Sequence, residues 1–248
     1  MLRVFLLRHN ISRGMEDYDE RKKFSDREMP LSETGLRHGG IMCEEFKRYL
    51  DREPNGPVTI ITSDFKRTTQ DAQRLEATLS HRKAKLIFDP RLREIDKGKF
   101  WGLKKVEREN AFGDAAKDFY RQRKQDGRFF DTQFLGGESP RDVYEKRIEP
   151  FVKEYKQKFR DGDLVIVSHD IPLRFLATKL LRMDPRLAEF EKPSGCGGIR
   201  LLEGESWNTL VDRGYVYEGV PPPARPGHPE DLQPHAARGG RGGGRGGR

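Results

Sequence analysis

Two histidines each follow an apolar run of the kind that forms a buried strand. Arg8 and His9 come directly after Leu2–Leu7, and His169 follows Leu164–Ser168. Ligands bind at the carboxyl ends of the strands in an open α/β sheet, so both imidazoles are predicted at one edge of such a sheet. An imidazole beside a guanidinium indicates an oxyanion pocket that contains a nucleophile. Taken alone, Arg8 and His9 are better interpreted as two exposed side chains after a strand than as a chemical site. The second histidine at a strand end makes the chemical site the better interpretation.

Two further segments that follow strand-like runs add an arginine and a carboxylate. Arg67 follows the second run, at the start of a predicted helix, and Glu94 follows the third. With Arg8, His9 and His169, they place two cations, two imidazoles and one carboxylate at the same edge. Singly, Arg67 fits a solvated side chain, Glu94 an ion-paired carboxylate and His169 a core histidine with satisfied hydrogen bonds. Their joint placement favours one chemical site.

Strands and helices alternate along the chain and position these residues. The strand-like runs are Leu2–Leu7, Val58–Thr62, Leu86–Phe88, Leu164–Ser168, Ile199–Leu202 and Thr209–Tyr217. Predicted helices follow Leu31–Gly35, extend from Arg67 to Leu79, begin at the N-cap Ser139, and extend through Leu173 to Leu180. This alternation predicts an α/β fold, a three-layer α/β/α sandwich with a mostly parallel central sheet and an antiparallel element at its end.

Two segments fall outside this alternation. Lys99–Phe134 interleaves charges of both signs with aromatic residues, and we interpret it as a helical cap insertion, about residues 99–137, over the carboxyl edge of the sheet. From residue 221 the chain is rich in Pro, Arg and Gly and ends in the Arg-Gly-Gly (RGG) repeats of Arg238–Arg248, a composition that predicts disorder. The sequence therefore predicts one domain over residues 1–220 and a disordered tail over 221–248.

Composition limits the classes of partner and compartment. The net charge of +8 favours anionic partners. Cys43 and Cys196 are the two cysteines, and without a CxxC pair they indicate neither a disulfide framework nor a zinc site, so a reducing compartment is expected. No apolar stretch approaches the roughly 20 residues of a membrane span, and the apolar start does not fit a secretory signal. We expect a cytoplasmic protein without a membrane partner; nuclear and organellar locations and the oligomeric state stay open.

Six short motifs, in this order, resemble those of the histidine phosphatase superfamily, also called phosphoglycerate mutase-like. The resemblance covers roughly residues 1–205; each motif is weak alone, and their order and spacing make the joint match strong. The Arg-Glu-x-Asp-x-Gly form is most similar to the small eukaryotic mutase-like phosphatases. The motifs are Leu-Leu-Arg-His at 6–9, Pro-Leu-Ser-Glu-Thr-Gly at 30–35, Thr-Ser-Asp-Phe-Lys-Arg-Thr at 62–68, Leu-Arg-Glu-Ile-Asp-Lys-Gly at 92–98, Gly-Gly-Glu-Ser at 136–139 and Val-Ile-Val-Ser-His at 165–169.

The resemblance implies a phosphomonoester hydrolase that needs neither a metal nor another cofactor. It implies that His9 attacks a phosphoryl group and becomes phosphohistidine. Arg8, Arg67 and His169 would hold the phosphoryl oxygens. Glu94 would protonate the leaving oxygen and later activate water. The substrate-binding positions that the resemblance implies are Ser12, Asn10, Gly137, Glu138 and Ser139.

Four positions depart from the family pattern. Asn10 replaces the glycine that usually follows the nucleophile, Ile11 replaces a Glu or Gln, and Met15 replaces an asparagine that binds phosphate. Asp170 replaces the glycine after the second histidine, and its carboxylate would oppose phosphate binding unless it turns outward or pairs with Arg174. These changes leave two alternatives, a phosphomutase and an inactive phosphatase-like protein that binds RNA or a protein complex.

The composition of the tail indicates RNA as a candidate partner. Its repeats in Arg238–Arg248 resemble the RGG segments of RNA-binding proteins, in which flexible glycines let guanidinium groups reach phosphates and stack on bases. A solubilising tail fits the same composition.

Overall fold

A six-stranded sheet forms the centre of the fold in the computed structural model, which describes residues 1–124, 128–191 and 194–221. The strands are β1 (Leu2–Arg8), β2 (Val58–Thr62), β3 (Lys85–Phe88), β4 (Gly162–Ser168), β5 (Ile199–Gly204) and β6 (Val211–Tyr217). Their order across the sheet is β3-β2-β4-β1-β5-β6. The first four in this order pair in parallel, and β5 and β6 pair antiparallel. The predicted α/β fold with a mostly parallel sheet is confirmed, and so is its antiparallel element.

Eight α-helical segments connect and cover the strands in the described ranges. They are α1 (Arg13–Glu16), α2 (Glu20–Lys23), α3 (Glu33–Arg52), α4 (Lys66–Thr78), α5 (Lys105–Lys124), α6 (Pro140–Asp142), α7 (Glu149–Lys158) and α8 (Asp170–Leu180). A π-helical turn, Val143–Ile148, joins α6 to α7. The Ser32 hydroxyl accepts a hydrogen bond from the Gly35 N–H and so caps α3. None of these helices combines the length and the apolar character that crossing a bilayer requires.

Two apolar cores lie on opposite faces of the sheet, because successive side chains of a strand point to opposite sides. Phe5 and Leu7 of β1 belong to one core, together with buried residues of α3 and α4. Val4 and Leu6 belong to the other, together with buried residues of α7 and α8. The sheet therefore lies between two helical layers, as the sequence predicts.

The segment predicted as a helical cap contains α5, and short turns flank this helix. Gly113 interrupts α5 with a non-helical backbone (φ 51°, ψ −124°). Ala116 and Phe119 of α5 are buried and join Phe100 and Phe134 in the core that also contains α7 and α8. The cap is thus packed on the helical layer through aromatic side chains.

The end of the described chain departs slightly from the sequence prediction. β6 begins at Val211 rather than at Thr209, because Thr209 belongs to a turn in which its N–H donates to the Ser206 carbonyl at 3.1 Å. Val220 pairs with Cys196 through main-chain hydrogen bonds. The predicted disordered tail and its RNA contact lie beyond the described residues.

A buried ion pair joins β1 to β4 near the start of both strands. Arg3 Nε and Nη2 donate to the two carboxylate oxygens of Asp163, each at 2.7 Å, and the side chains are 4% and 0% exposed. Replacing Asp163 by alanine removes the buried counterion of Arg3 and leaves it the exposed carboxylate of Glu53, 3.6 Å from Nη1. Since Arg3 keeps the Glu53 carbonyl at 2.8 Å, we expect the free energy of unfolding to fall by about 3 kcal/mol.

Urea unfolding of the wild type and Asp163→Ala measures this change. The control is Asp118→Ala, which removes the partner of Arg121 from an exposed pair on α5; its expected change is below about 0.5 kcal/mol. An Asp163→Ala loss as small as that of the control would contradict the prediction.

Candidate active site

Parallel pairing of β1 and β4 brings the two predicted histidines together. Arg8 lies opposite Ser168 in the strand register, and the His9 N–H donates to the Ser168 carbonyl at 3.1 Å. The ring centroids of His9 and His169 are 5.1 Å apart, and the two residues are 5% and 0% exposed. The carboxyl edge of the sheet therefore holds a buried pair of imidazoles.

The hydrogen bonds of His9 define its tautomer. Nδ1 lies 2.6 Å from the main-chain oxygen of Asn10, which accepts but cannot donate, so Nδ1 carries the hydrogen. Nε2 is then unprotonated and accepts from Arg67 Nε at 3.2 Å. Burial, with the charges of Arg67 and Arg8, lowers the pKa of His9 well below its ordinary value. The imidazole is neutral at physiological pH, with its Nε2 lone pair directed at a cation.

Arg67 is fixed by an acidic residue that the sequence patterns did not reveal. Its Nη1 donates to the Asp26 carbonyl at 2.6 Å, and its Nη2 lies 2.8 Å from the Asp26 carboxylate. The side chain is 5% exposed, and its guanidinium lies 5.2 Å from the centre of the Phe65 ring. These contacts hold Nε of Arg67 against the imidazole of His9.

The other predicted phosphate ligands, Arg8 and His169, have spare hydrogen-bonding groups. Arg8 Nη1 donates to the Ser194 carbonyl at 3.1 Å, while its buried Nε has no acceptor in the described residues. His169 Nε2 lies 3.0 Å from the Ser63 hydroxyl, while its buried Nδ1 has no partner there. Burial, with the charge of Arg67, lowers the pKa of His169 well below its ordinary value. The site therefore contains a neutral second imidazole and an arginine with donors to spare.

Glu94 and Lys97 complete the charged cluster. Burial raises the pKa of Glu94, against the opposing effect of Lys97, and its Oε1 accepts from the Ile95 N–H at 3.0 Å. Burial lowers the pKa of Lys97, and its charge also acts on His9 and His169. Lys97 lies within a motif that the sequence analysis singled out, yet it was not predicted as a site residue. The cluster thus has a third cation beside its carboxyl group.

A cavity of about 590 Å³ adjoins the cluster. Asp26 and Phe65 line it, and both also contact the cluster, Asp26 through Arg67 and Phe65 through the His169 ring at 5.3 Å between centroids. Arg147, from the π-helical turn, also lines the cavity; its buried Nε has no acceptor in the described residues, and its charge acts on His169. The volume falls within the roughly 300–1,000 Å³ of small-molecule sites.

The five predicted substrate-binding positions differ in their contacts. Glu138 lines the cavity, and Gly137 packs against the Asp96 main chain so closely that a side chain there would clash. Ser139 instead caps α6 through reciprocal hydrogen bonds with Asp142. Ser12 is buried at the start of α1 without a side-chain capping bond. Asn10 is buried with its side chain on Asp71.

The carboxylate of Asp170 is paired rather than free. Its Oδ1 accepts from Arg174 Nε at 3.0 Å, and the side chain is 27% exposed. Although burial opposes ionisation, Arg8 and Arg174 hold the pKa of Asp170 below its ordinary value. Asp170 is therefore charged and compensated by two arginines, one of which belongs to the cluster.

A family model described as histidine phosphatase superfamily (branch 1) matches residues 4–212. The match includes every residue that forms the cluster and nearly all of the sheet.

Two curated relatives are similar to this chain. Phosphoserine phosphatase 1 of Hydrogenobacter thermophilus is 28% identical over 155 residues, which are 62% of this chain and 65% of that protein. The chain thus matches just under two thirds of that relative's length. A phosphoglycerate mutase-like protein of Arabidopsis thaliana is 26% identical over 223 residues, 81% of this chain and 73% of that protein.

Solved structures of two phosphatases have the same fold. The α-ribazole phosphatase of Shigella flexneri superposes with a TM-score of 0.68 at 18% identity, covering 88% of this chain and 98% of that one. A mycobacterial glucosyl-3-phosphoglycerate phosphatase in complex with inorganic phosphate gives 0.65 at 21% identity, covering 89% and 98%. At these identities the likeness establishes a shared fold.

Proposed function

Because this chain belongs to the histidine phosphatase superfamily, we propose that it is a metal-independent phosphomonoesterase that acts through phosphohistidine on His9. The observation that carries the proposal is the state of His9, a neutral imidazole whose Nε2 lone pair faces the Arg67 guanidinium. Relatives named as phosphatases support the hydrolase class.

In the first step Nε2 of His9 attacks the phosphorus atom. When the substrate binds, its phosphoryl group displaces the hydrogen bond between Arg67 Nε and His9 Nε2. Arg67 then donates to the phosphoryl oxygens instead. A P–N bond forms and the P–O bond to the organic group breaks. Glu94, whose pKa is raised by burial, gives its proton to the leaving oxygen.

In the second step water attacks the phosphohistidine. Glu94, now a carboxylate, takes a proton from this water as the new P–O bond forms and the P–N bond breaks. His9 returns to its neutral form and orthophosphate leaves. Glu94 thus serves both half-reactions and is protonated again when the cycle ends.

Side-chain cations supply the positive charge that the phosphoryl oxygens require. Arg67 and Arg8 both lower the pKa of His9 through their charges. Lys97 adds a third cation. The unpaired nitrogens of Arg8 and His169 are available to phosphoryl oxygens. These donors underlie the proposal that no metal ion takes part.

The cavity beside the cluster accommodates the organic part of the substrate. Phe65 lies in its lining together with four arginines (Arg27, Arg91, Arg93 and Arg147) and three carboxylates (Asp26, Asp96 and Glu138). This charged lining favours a polar organic group over a purely apolar one.

Trapping of the phosphoenzyme tests the proposal. The wild-type protein, in the presence of EDTA, is mixed with a ³²P-labelled acyl or aryl phosphate and quenched. We expect label that is stable in base and labile in acid, on the peptide that contains His9, and steady release of orthophosphate. Label transferred instead to a second substrate molecule would support a phosphomutase. A protein with neither label nor turnover over a broad panel of phosphomonoesters would support the non-catalytic binding module and overturn the proposal.

A further inference from the structure

A buried carboxylate, that of Asp71, is connected to the nucleophile His9 by hydrogen bonds through Asn10. Asp71, on α4, is 1% exposed and accepts from Asn10 twice, from the main-chain N–H at 2.7 Å and from the side-chain Nδ2 at 3.0 Å. The main-chain oxygen of Asn10 in turn accepts from Nδ1 of His9 at 2.6 Å. A continuous set of hydrogen bonds therefore leads from Asp71 through Asn10 to the imidazole.

Two glycines make room for this arrangement. A Cβ atom on Gly39 of α3 would come within 3.0 Å of Asp71 Oδ1, and one on Gly197 would come within 3.0 Å of Asn10 Oδ1. Real Cβ atoms essentially never approach so closely. The main chain thus approaches Asp71 closely at Gly39 and Asn10 closely at Gly197.

The hydrogen bonds that the described structure gives to the Asp71 carboxylate both come from Asn10. Arg74, one turn further along α4, donates to the Leu36 carbonyl instead. Within the described residues, Asp71 caps no helix end and forms no salt bridge that would explain its burial, although the charge of Arg74 acts on it. A buried carboxylate costs several kcal/mol unless its interactions compensate, so its place beside Asn10 calls for a role.

We propose that Asp71 is a positioning residue, which fixes Asn10 and thereby the tautomer and orientation of the His9 imidazole. The inference rests on the proposed function, in which His9 attacks through Nε2. Two bonds from one carboxylate hold both the main chain and the side chain of Asn10. The carbonyl that receives Nδ1–H is then held in place, and Nε2 keeps its lone pair. The same pairing explains why Asn10 stands directly after the nucleophile.

Protonation of Asp71 weakens this arrangement, because a neutral carboxyl group cannot accept both bonds through two anionic oxygens. Burial raises the pKa of Asp71 to about 7, opposed by the bonds from Asn10 and by the charge of Arg74. The titratable neighbours are two thiols, Cys43 on α3 and Cys196 before β5; burial raises the pKa of both, that of Cys43 to about 12. Both thiols stay neutral near pH 7, so Asp71 is the group of this set that ionises there.

The raised pKa of Asp71 also determines how the stability of the fold changes with pH. The pKa of Asp71 is higher in the folded state than in the unfolded chain, so the folded protein binds more protons between about pH 4 and pH 7. Stability therefore falls as the pH rises through this window and stays lower above it. Asp71→Asn removes this dependence, and its stability relative to the wild type is expected to improve as the pH rises from 4 to 7.

Asp71→Asn keeps the shape of the side chain but accepts through one oxygen and does not ionise. We expect kcat to fall by about 10- to 100-fold at pH 8, the effect of a misplaced reacting group, with KM changed less than about twofold. Wild-type kcat is expected to decline as the pH falls through about 7, and this decline is absent in Asp71→Asn. The control is Glu76→Gln, the same chemical change on the same helix, with an unchanged pH profile.

A second measurement needs no turnover. In ¹⁵N-labelled protein, the imidazole shifts of His9 report the tautomer: protonated Nδ1 in the wild type at pH 8, and mixed tautomers in Asp71→Asn and in the wild type below pH 6. This change in a protein without phosphatase activity would support the positioning role while the proposed function fails. An unchanged tautomer and an unchanged kcat profile in a folded Asp71→Asn variant would overturn the inference. If that variant does not fold, a wild-type His9 tautomer that is constant from pH 5 to 9 overturns it equally.

Discussion

Replacing His9 by alanine is expected to lower kcat/KM for phosphomonoesters by about 10⁴-fold or more. The substitution removes the atom that forms the P–N bond, and water must then attack the ester directly without the covalent intermediate. His169 does not replace it, because the Ser63 hydroxyl occupies its Nε2 and its Nδ1 is proposed to donate to the phosphoryl oxygens. Steady-state release of orthophosphate from an aryl phosphate measures the effect.

The matched control is His81→Ala. His81 is exposed and paired with Asp51, away from the carboxyl edge of the sheet, so its removal should leave kcat/KM unchanged. His9→Ala should also still bind orthophosphate within about tenfold of the wild type, since the cations of the cluster remain. Isothermal titration calorimetry measures this. Turnover in His9→Ala close to that of the wild type would place the nucleophile on another residue.

The central part of the site could be predicted because its residues end strands. β1 and β4 are strongly apolar runs, and a parallel sheet necessarily brings the ends of such strands to one edge. Arg8, His9 and His169 follow from that rule alone. Arg67 follows from a strand followed by a helix start. In each case a local pattern fixes the position of a side chain, and the topology then brings the positions together.

The residues that sequence reasoning missed act through contacts that no local pattern encodes. Asp26 lies in a turn between α2 and α3 and becomes important because Arg67 reaches it. In the sequence, Lys97 cannot be distinguished from a solvated loop lysine, and only the fold places it near Glu94. For Asp71 a signal existed: it lies beside Ala72 on the face of α4 that also carries Leu75, and a charged residue on a buried helix face is costly.

The departures at Asn10 and Asp170 show what else depends on tertiary structure. The type of residue indicates a change in the pocket but not where its side chain points. Asn10 does not adopt a left-handed backbone, since the non-glycine residues with positive φ in the described ranges are Lys83 and Arg182. Its side-chain amide donates to Asp71. Asp170 pairs with Arg174, one of the two arrangements that the sequence allowed.

Replacing Glu94 by glutamine is expected to separate the two half-reactions by the chemistry of the leaving group. Glutamine keeps the size of the side chain but neither donates a carboxyl proton nor accepts one from water. For an alkyl phosphate, whose leaving alkoxide needs a proton, we expect kcat to fall by about 10²- to 10⁴-fold. For a nitrophenyl phosphate, whose leaving anion is stable, formation of the phosphoenzyme should be much less affected, so phosphohistidine accumulates because water is not activated.

The pH dependence follows from the raised pKa of Glu94. Burial favours the protonated carboxyl, which is the form that donates to the leaving oxygen, so wild-type kcat for alkyl phosphates should decline as Glu94 ionises with rising pH. This decline is opposite in direction to the one that protonation of Asp71 causes as the pH falls. Glu94→Gln should lack this decline, while Glu44→Gln, an exposed residue on α3, should keep it. Rapid-quench measurement of the nitrophenolate burst and of labelled phosphoenzyme tests both points. Equal losses on alkyl and nitrophenyl phosphates, without a burst, would show that Glu94 does not act as the acid, and the proton would then have to come from another group in the cluster.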